Sequence, residues 1–232
     1  GSTIPEEFLA VYDVLGQIAF RKGMRDKLAY ERATEYLEKA VKFGSKNFDT
    51  NLMLGLLYSK KNVEKAIESF KRAKESFPGY VEANNPYQKL AEIYMTQGKK
   101  EEAFKELETY LSLQNIDFKT RLDLAKQYFE LKKYKDVIRL LVEASEINPL
   151  YEELQVLLAK SYKFEKDFSK AIRSYEIALS LNPKDSKHRI LAEIAEIYLE
   201  MKNVEKAKFY ATESLKIKQN YKHAREILDK IK

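Results

Sequence analysis

Cysteine is absent from the 232 residues, and so is tryptophan. Without thiols the chain can form no disulfide and no thiolate metal centre. It suits a reducing compartment as well as an oxidising one, so cytoplasmic and periplasmic locations stay equally open. Glycine occurs seven times and never clusters ahead of a helix, as a phosphate cradle requires, which argues against a nucleotide site. The two histidines, His188 and His223, are separated by a whole repeat, with no HExxH spacing and no cysteine between them. They suit helix starts at the surface better than a metal site. No apolar run approaches the roughly 18 residues of a membrane span. Nor is there a recognisable Ser, His, Asp arrangement. The expectation is a chain with no catalytic residue, no cofactor and no bound metal.

What the chain does have is a seven-feature pattern that recurs at a period of about 34 residues. Its clearest copy is Leu158, Ala159, Tyr162, Ala171, Tyr175, Ala178 and Pro183. One period earlier stand Leu124, Ala125, Tyr128, Val137, Leu141, Ala144 and Pro149, and before those Leu90, Ala91, Tyr94, Ala103, Leu107, Tyr110 and Asn115. Altered copies are Leu54, Gly55, Tyr58, Ala66, Phe70, Ala73, Pro78 and Ile194, Ala195, Tyr198, Ala207, Ala211, Ser214. Within each copy, large, small and Tyr at offsets of one and four residues share a helical face. Small, large, small at offsets of four and three make a second face after a short turn. Each copy is therefore a helical hairpin too small to bury its own stripes, and neighbours must stack to complete a core. The repeated tyrosines, with Tyr175 and Phe70, are expected in that core.

The pattern resembles the tetratricopeptide repeat family. The resemblance implies an all-α, right-handed α-solenoid, a superhelix of helical hairpins, that acts as a non-catalytic protein-interaction scaffold. On this reading the chain divides into a tail at 1–8, a degenerate repeat at 9–46, and repeats at 47–83, 84–117, 118–151, 152–187 and 188–221. A capping helix follows at 222–232, with Ala224, Ile227, Leu228 and Ile231 on one face. Gly1-Ser2, with no initiator methionine, looks like a cloning scar and implies an excised fragment, and the resemblance alone implies a bacterial origin. In the first repeat Gly16 to Ala33 is longer than Gly55 to Ala66, so a longer first helix or a wider turn around Arg21 to Tyr30 must absorb the difference. Tyr58 to Ala66 is one residue shorter than Tyr94 to Ala103, which predicts an irregular joint there. Asn84, Asn85 and Pro86 suit the following helix start.

A net charge of +6 and a pI near 9.1 raise the question of nucleic acid. Lysines alternate with glutamates, as in Lys99-Lys100-Glu101-Glu102, which is the pattern of a solvated helix surface, so nucleic acid is not an expected partner. In the resembled family the first helices line a concave groove. With Gly55, Ala91, Ala125, Ala159 and Ala195 as eighth residues, positions 2, 5, 9 and 12 face it. Repeats four and five then offer Lys119, Leu122, Lys126, Phe129, Val156, Lys160 and Lys163 as the partner-binding groove. The four lysines beside exposed Leu122, Phe129 and Val156 predict a locally positive surface, despite the neighbouring Glu92 and Glu196. Such a surface would hold an acidic protein or peptide segment with apolar anchors. The carboxylate clamp of the family's chaperone-tail binders is not matched. Its equivalent places hold Asp13, Gln17, Leu52, Met53, Leu56, Asn85 and Lys89. The competing expectation is a self-associating structural subunit of a cell-envelope assembly, for which exposed apolar residues on an edge repeat would be the sign.

Overall fold

The computed structural model describes residues 6–23 and 27–231, so the Gly1-Ser2 leader and part of the first turn lie outside it. Among the described residues there are thirteen α-helices and no strand. They fall into two compact units, divided after Asn115. Unit 1 holds α1 (Glu6–Gly23), α2 (Lys27–Lys42), α3 (Phe48–Tyr58), α4 (Val63–Ser76), α5 (Pro86–Thr96) and α6 (Lys100–Leu113). Unit 2 holds α7 (Phe118–Glu130), α8 (Tyr134–Ile147), α9 (Glu152–Phe164), α10 (Phe168–Ser180), α11 (Lys187–Glu200), α12 (Val204–Ile217) and α13 (Lys222–Ile231). Each odd helix packs on the even one that follows it, and within each unit the next hairpin stacks on the last, with α13 against both α11 and α12. Within each unit this is the all-α stack of helical hairpins that the repeat pattern predicts.

The core is made by the residues that define the repeat. Ala66, Phe70, Ala73, Ala103, Val137, Leu141, Ala144, Ala171, Tyr175 and Ala178 are fully buried. Tyr58, Tyr94, Tyr128 and Tyr198 are nearly so, whereas Tyr162 is half-buried. The small residues lie where helices approach closest. A Cβ on Gly55 would sit 2.5 Å from the Phe70 ring, and one on Gly16 would sit 2.4 Å from Leu37. In the first repeat α1 runs seven residues past Gly16, where α3 ends three past Gly55, so a longer first helix takes up much of the extra length.

The hairpin turns share one backbone device. Gly98, Lys132, Lys166 and Lys202 all have φ between 57° and 73°. Around each, two hydrogen bonds close the first helix. The Lys132 N–H donates to Phe129 O and the Lys133 N–H to Tyr128 O, and the same pairs recur at Lys166/Asp167 and Lys202/Asn203. This is the Schellman closure, which satisfies carbonyls that a helix end leaves open. The shorter α3–α4 turn has no left-handed residue; there Lys61 and Asn62 both donate to Tyr58 O. One residue fewer thus changes the turn itself. The next helix starts as its sequence suggests, with Asn85 capping Gln88 N and Pro86 in the first turn.

Candidate partner-binding site

All seven groove candidates lie in unit 2, on α7 and α9, and α11 and α13 continue the same row of odd helices. Lys119 is exposed, and Lys126, Phe129, Val156, Lys160 and Lys163 are partly exposed. Leu122 does not belong with them. It is 4% exposed, as are its position-5 equivalents Leu52 and Ala192 at 8% and 0%. α7 packs against α9 as well as α8, and Leu122 turns into the seam between these first helices, whereas Val156, at the same fifth position one repeat on, stays partly exposed.

The expected positive field is also largely cancelled. Lys126 Nζ lies 2.9 Å from Glu153 and 3.8 Å from Asp123, and the hydrogen bond to Glu153 raises its pKa. Lys163 bridges Glu193, at 3.0 Å, and Glu196. Burial disfavours its charge, but the two carboxylates outweigh that and its pKa is raised. Burial pushes the Glu196 carboxyl upward and Lys163 pulls it down further, leaving it below the usual glutamate range. His223 Nε2 stands 3.3 Å from Glu196. Glu193, Glu196 and His223 offer ligand atoms within 4.8 Å of one another, but the Lys163 ammonium already supplies the positive charge between the two carboxylates. Both histidines are second residues of their helices, as expected, with His188 edge-on to Tyr221 at 4.8 Å. Lys119 and Lys160 remain without an ion pair among the described residues.

Phe129 is not a free anchor either. Its ring meets Tyr134 at 5.4 Å and Phe164 at 5.9 Å, and Tyr134 stacks on Phe164 at 4.4 Å, forming an aromatic cluster at the hairpin tips. Beside the groove candidates lies a cavity of about 700 Å³ along α9 and α11, bordered also by Tyr221, the residue before α13. Val156, Ile190, Tyr151 and Tyr221 give it apolar walls, and Lys160, Arg189, Glu152, Glu153 and Glu193 line it with charge. From beneath, Tyr175 of α10 also reaches it. Val156 and Lys160 were legible as groove residues from repeat position, and Arg189 follows from the same numbering one repeat on. Tyr175 is a core residue, as expected, and nothing in its sequence context signals that it also borders a cavity.

In unit 1 the places equivalent to the chaperone-tail clamp are occupied otherwise. Asn85 is 1% exposed and spends its side chain on its own helix start, Lys89 pairs with Glu92, and Leu52 is core. Asp13 accepts from Ser45 and Thr50.

Comparisons with known proteins agree with this architecture. Tetratricopeptide repeat models match residues 49–80, 85–117, 152–185 and 188–230, more than half of the chain. Tetratricopeptide repeat protein 21A of Mus musculus is 26% identical across 97% of the chain, which spans only 17% of that protein. TPR repeat-containing protein YpiA of Bacillus subtilis (strain 168) is 28% identical across 77% of the chain and 41% of its own length. Among solved structures, Naa15/Naa10 bound to HypK-THB superposes with a TM-score of 0.72 at 20% identity, over 93% of this chain and 33% of that one. YrrB, described as a TPR protein with an unusual peptide-binding site, gives 0.59 at 18% identity, over 85% of this chain and all of that one. MamA gives 0.55 at 21%, over 74% and 92%. At these identities the structural likenesses establish the fold alone. Repeat pattern, hairpin stacking and matched models together place the chain in the tetratricopeptide repeat family.

Proposed function

We propose that this chain is a non-catalytic interaction module that binds an extended peptide segment or a helix of a partner protein along the odd-helix face of unit 2. The observation that carries the reading is the cavity along α9 and α11, where apolar walls and the cations Lys160 and Arg189 share one concave surface. A side chain inserted there would lose apolar area to water exclusion while its charge met Lys160 or Arg189, the combination that makes a few interface residues dominate affinity. The pairing of Lys126 and Lys163 narrows the expectation. Attraction for acidic segments centres on Lys160 and Arg189 in place of a broad positive groove. Peptides selected from a random display library on the immobilised chain test the reading. Titrated against Val156→Arg, the selected peptides should lose at least tenfold in affinity. Equal affinity for both proteins would place the binding face elsewhere.

A second reading rests on its own observation. Val11, Val14, Leu15 and Ile18 of α1 are 39–52% exposed and, at spacings of three and four, lie on one helix face. A second copy of the chain covering that stripe would make the protein a self-assembling subunit. Sedimentation at several concentrations, repeated with Val14→Glu, checks it: a monomer at every concentration would remove this reading.

A further inference from the structure

We propose that the exposed stripe of α1 is the contact face of a two-fold dimer, in which α1 packs antiparallel on the α1 of a second copy. The inference rests on the self-assembly reading and names the element, the direction and the register of the contact. With Gly16 as the eighth residue of its repeat, Val11, Leu15 and Ile18 hold positions 3, 7 and 10. In α3 those positions are Thr50, Leu54 and Leu57, and in α11 they are Ile190, Ile194 and Ile197; all six are buried. The even helix of the preceding hairpin packs on each of these helices, α2 on α3 and α10 on α11. α1 is the first of the described helices and has no such neighbour among them, and its three residues, with Val14 between them, are 39–52% exposed. The stripe is therefore a seam between hairpins with one side open, and its apolar side chains gain from a helix laid along it.

The symmetry of the stripe identifies the occupant. The midpoint of α1 falls between Val14 and Leu15, and Val11 and Ile18 stand equally far from it. A two-fold axis through that point lays Val11 against Ile18 of the second copy and Val14 against Leu15 of the second copy, so apolar residues meet only apolar ones. The α1 sequence begins with two glutamates and has Arg21 and Lys22 in its last turn, so antiparallel helices bring ends of opposite charge together. The far end of the chain offers no such face. α13 turns Ala224 and Ile227 inward and exposes Arg225, Glu226, Asp229 and Lys230. Burying those charges against Val14 and Leu15 would strip their hydration without a compensating partner. Head-to-tail strings of copies are thereby disfavoured, and the contact closes on two. Four half-exposed side chains are far fewer than the roughly 20–30 residues a side of a standard stable interface, so the pair dissociates on dilution.

Because the chain has no cysteine, single-cysteine variants of the full chain test the register without background. Packed helix axes lie about 8–10 Å apart and facing Cα atoms about 4–5 Å nearer than that, within disulfide reach. About the proposed axis, residue 14 is offset from its symmetry mate by about 1.5 Å along the helix, and residue 11 by about 10 Å. Val14→Cys should therefore form a disulfide-linked dimer under mild oxidation on the order of tenfold faster than Lys105→Cys, an exposed place on α6, because the pair holds its thiols at close range. Val11→Cys alone and Ile18→Cys alone should link no faster than that control. An equimolar mixture of the two should link residue 11 to residue 18, at a rate that falls on dilution. All these positions are exposed, so thermal melts of the reduced variants should match wild type. Val11→Cys linking alone as fast as Val14→Cys would overturn the antiparallel register and leave a second copy as the occupant. A concentration-dependent dimer in sedimentation that no α1 cysteine links would overturn the α1 contact and leave self-assembly standing. A monomer at every concentration, with no variant linking faster than Lys105→Cys, would end both and leave the stripe to a helix of a different protein.

Discussion

Three lysines held in left-handed backbone give the sharpest energetic test of the turn geometry. Lys132, Lys166 and Lys202 have φ of 57°, 61° and 60°, all three side chains are exposed, and Gly98 fills the equivalent place in unit 1. A side chain in that conformation costs about 1 kcal/mol relative to glycine, because Cβ crowds the carbonyl oxygen. Glycine's greater freedom in the unfolded chain offsets roughly half of this. Each Lys→Gly change should therefore stabilise by about 0.5 kcal/mol. The sites share no partners, so the effects add, and the triple variant should gain about 1.5 kcal/mol, a rise of roughly 5 °C in a domain of this size. Urea and thermal melts followed by circular dichroism measure it. Lys60→Gly in the short α3–α4 turn is the opposing control. Lys60 is not left-handed, so glycine there brings only its entropy cost and should destabilise by about 0.5 kcal/mol or more. A triple variant that melts at or below wild type, or a Lys60→Gly that melts higher, would refute the reasoning.

Ala171 is fully buried in the cluster that includes Ala159 and Tyr175, so Ala171→Leu should overpack the α9–α10 crossing and cost about 1–3 kcal/mol; an unchanged melt would mean the repeat register is misplaced. Gly55→Ala should destabilise on a similar scale of about 1–3 kcal/mol, since its Cβ would meet a Phe70 ring that is itself buried and cannot retreat. Glu196 has a folded pKa below its unfolded value, so its contribution is present above the ordinary glutamate pKa and lost as pH falls through the depressed folded value. Urea midpoints from about pH 7 down to about pH 3 should therefore fall more steeply for wild type than for Lys163→Gln, and parallel curves would contradict the coupling.

The helices and their pairing were legible because a 34-residue spacing of small and large residues leaves little freedom in how hairpins can pack. The site was legible only in outline. Repeat position placed Val156, Lys160 and Lys163 on the odd-helix face, but it could not tell that Leu122, at the same fifth position as Val156, closes the seam between first helices and is core. The lysines were counted as free because their partners lie one repeat on: Glu153 for Lys126, and Glu193 and Glu196 for Lys163. Composition along a single helix carries no record of such pairings. Tyr175 and Phe70 occupy the same repeat position and read alike as core residues. The tyrosine differs by one oxygen, and only the packed neighbours reveal that this oxygen is buried close to Glu193. The left-handed lysines were hidden for a related reason, since glycine marks the turn in one repeat and lysine fills it in three.

A crystal structure of the chain with a display-selected peptide tests the central claim most directly. The account predicts the peptide along α9 and α11, with an apolar side chain against Val156 and Ile190 and an acidic group near Lys160 or Arg189. A peptide seated on α8, α10 and α12, or on the apolar stripe of α1, with that cavity empty, would contradict it.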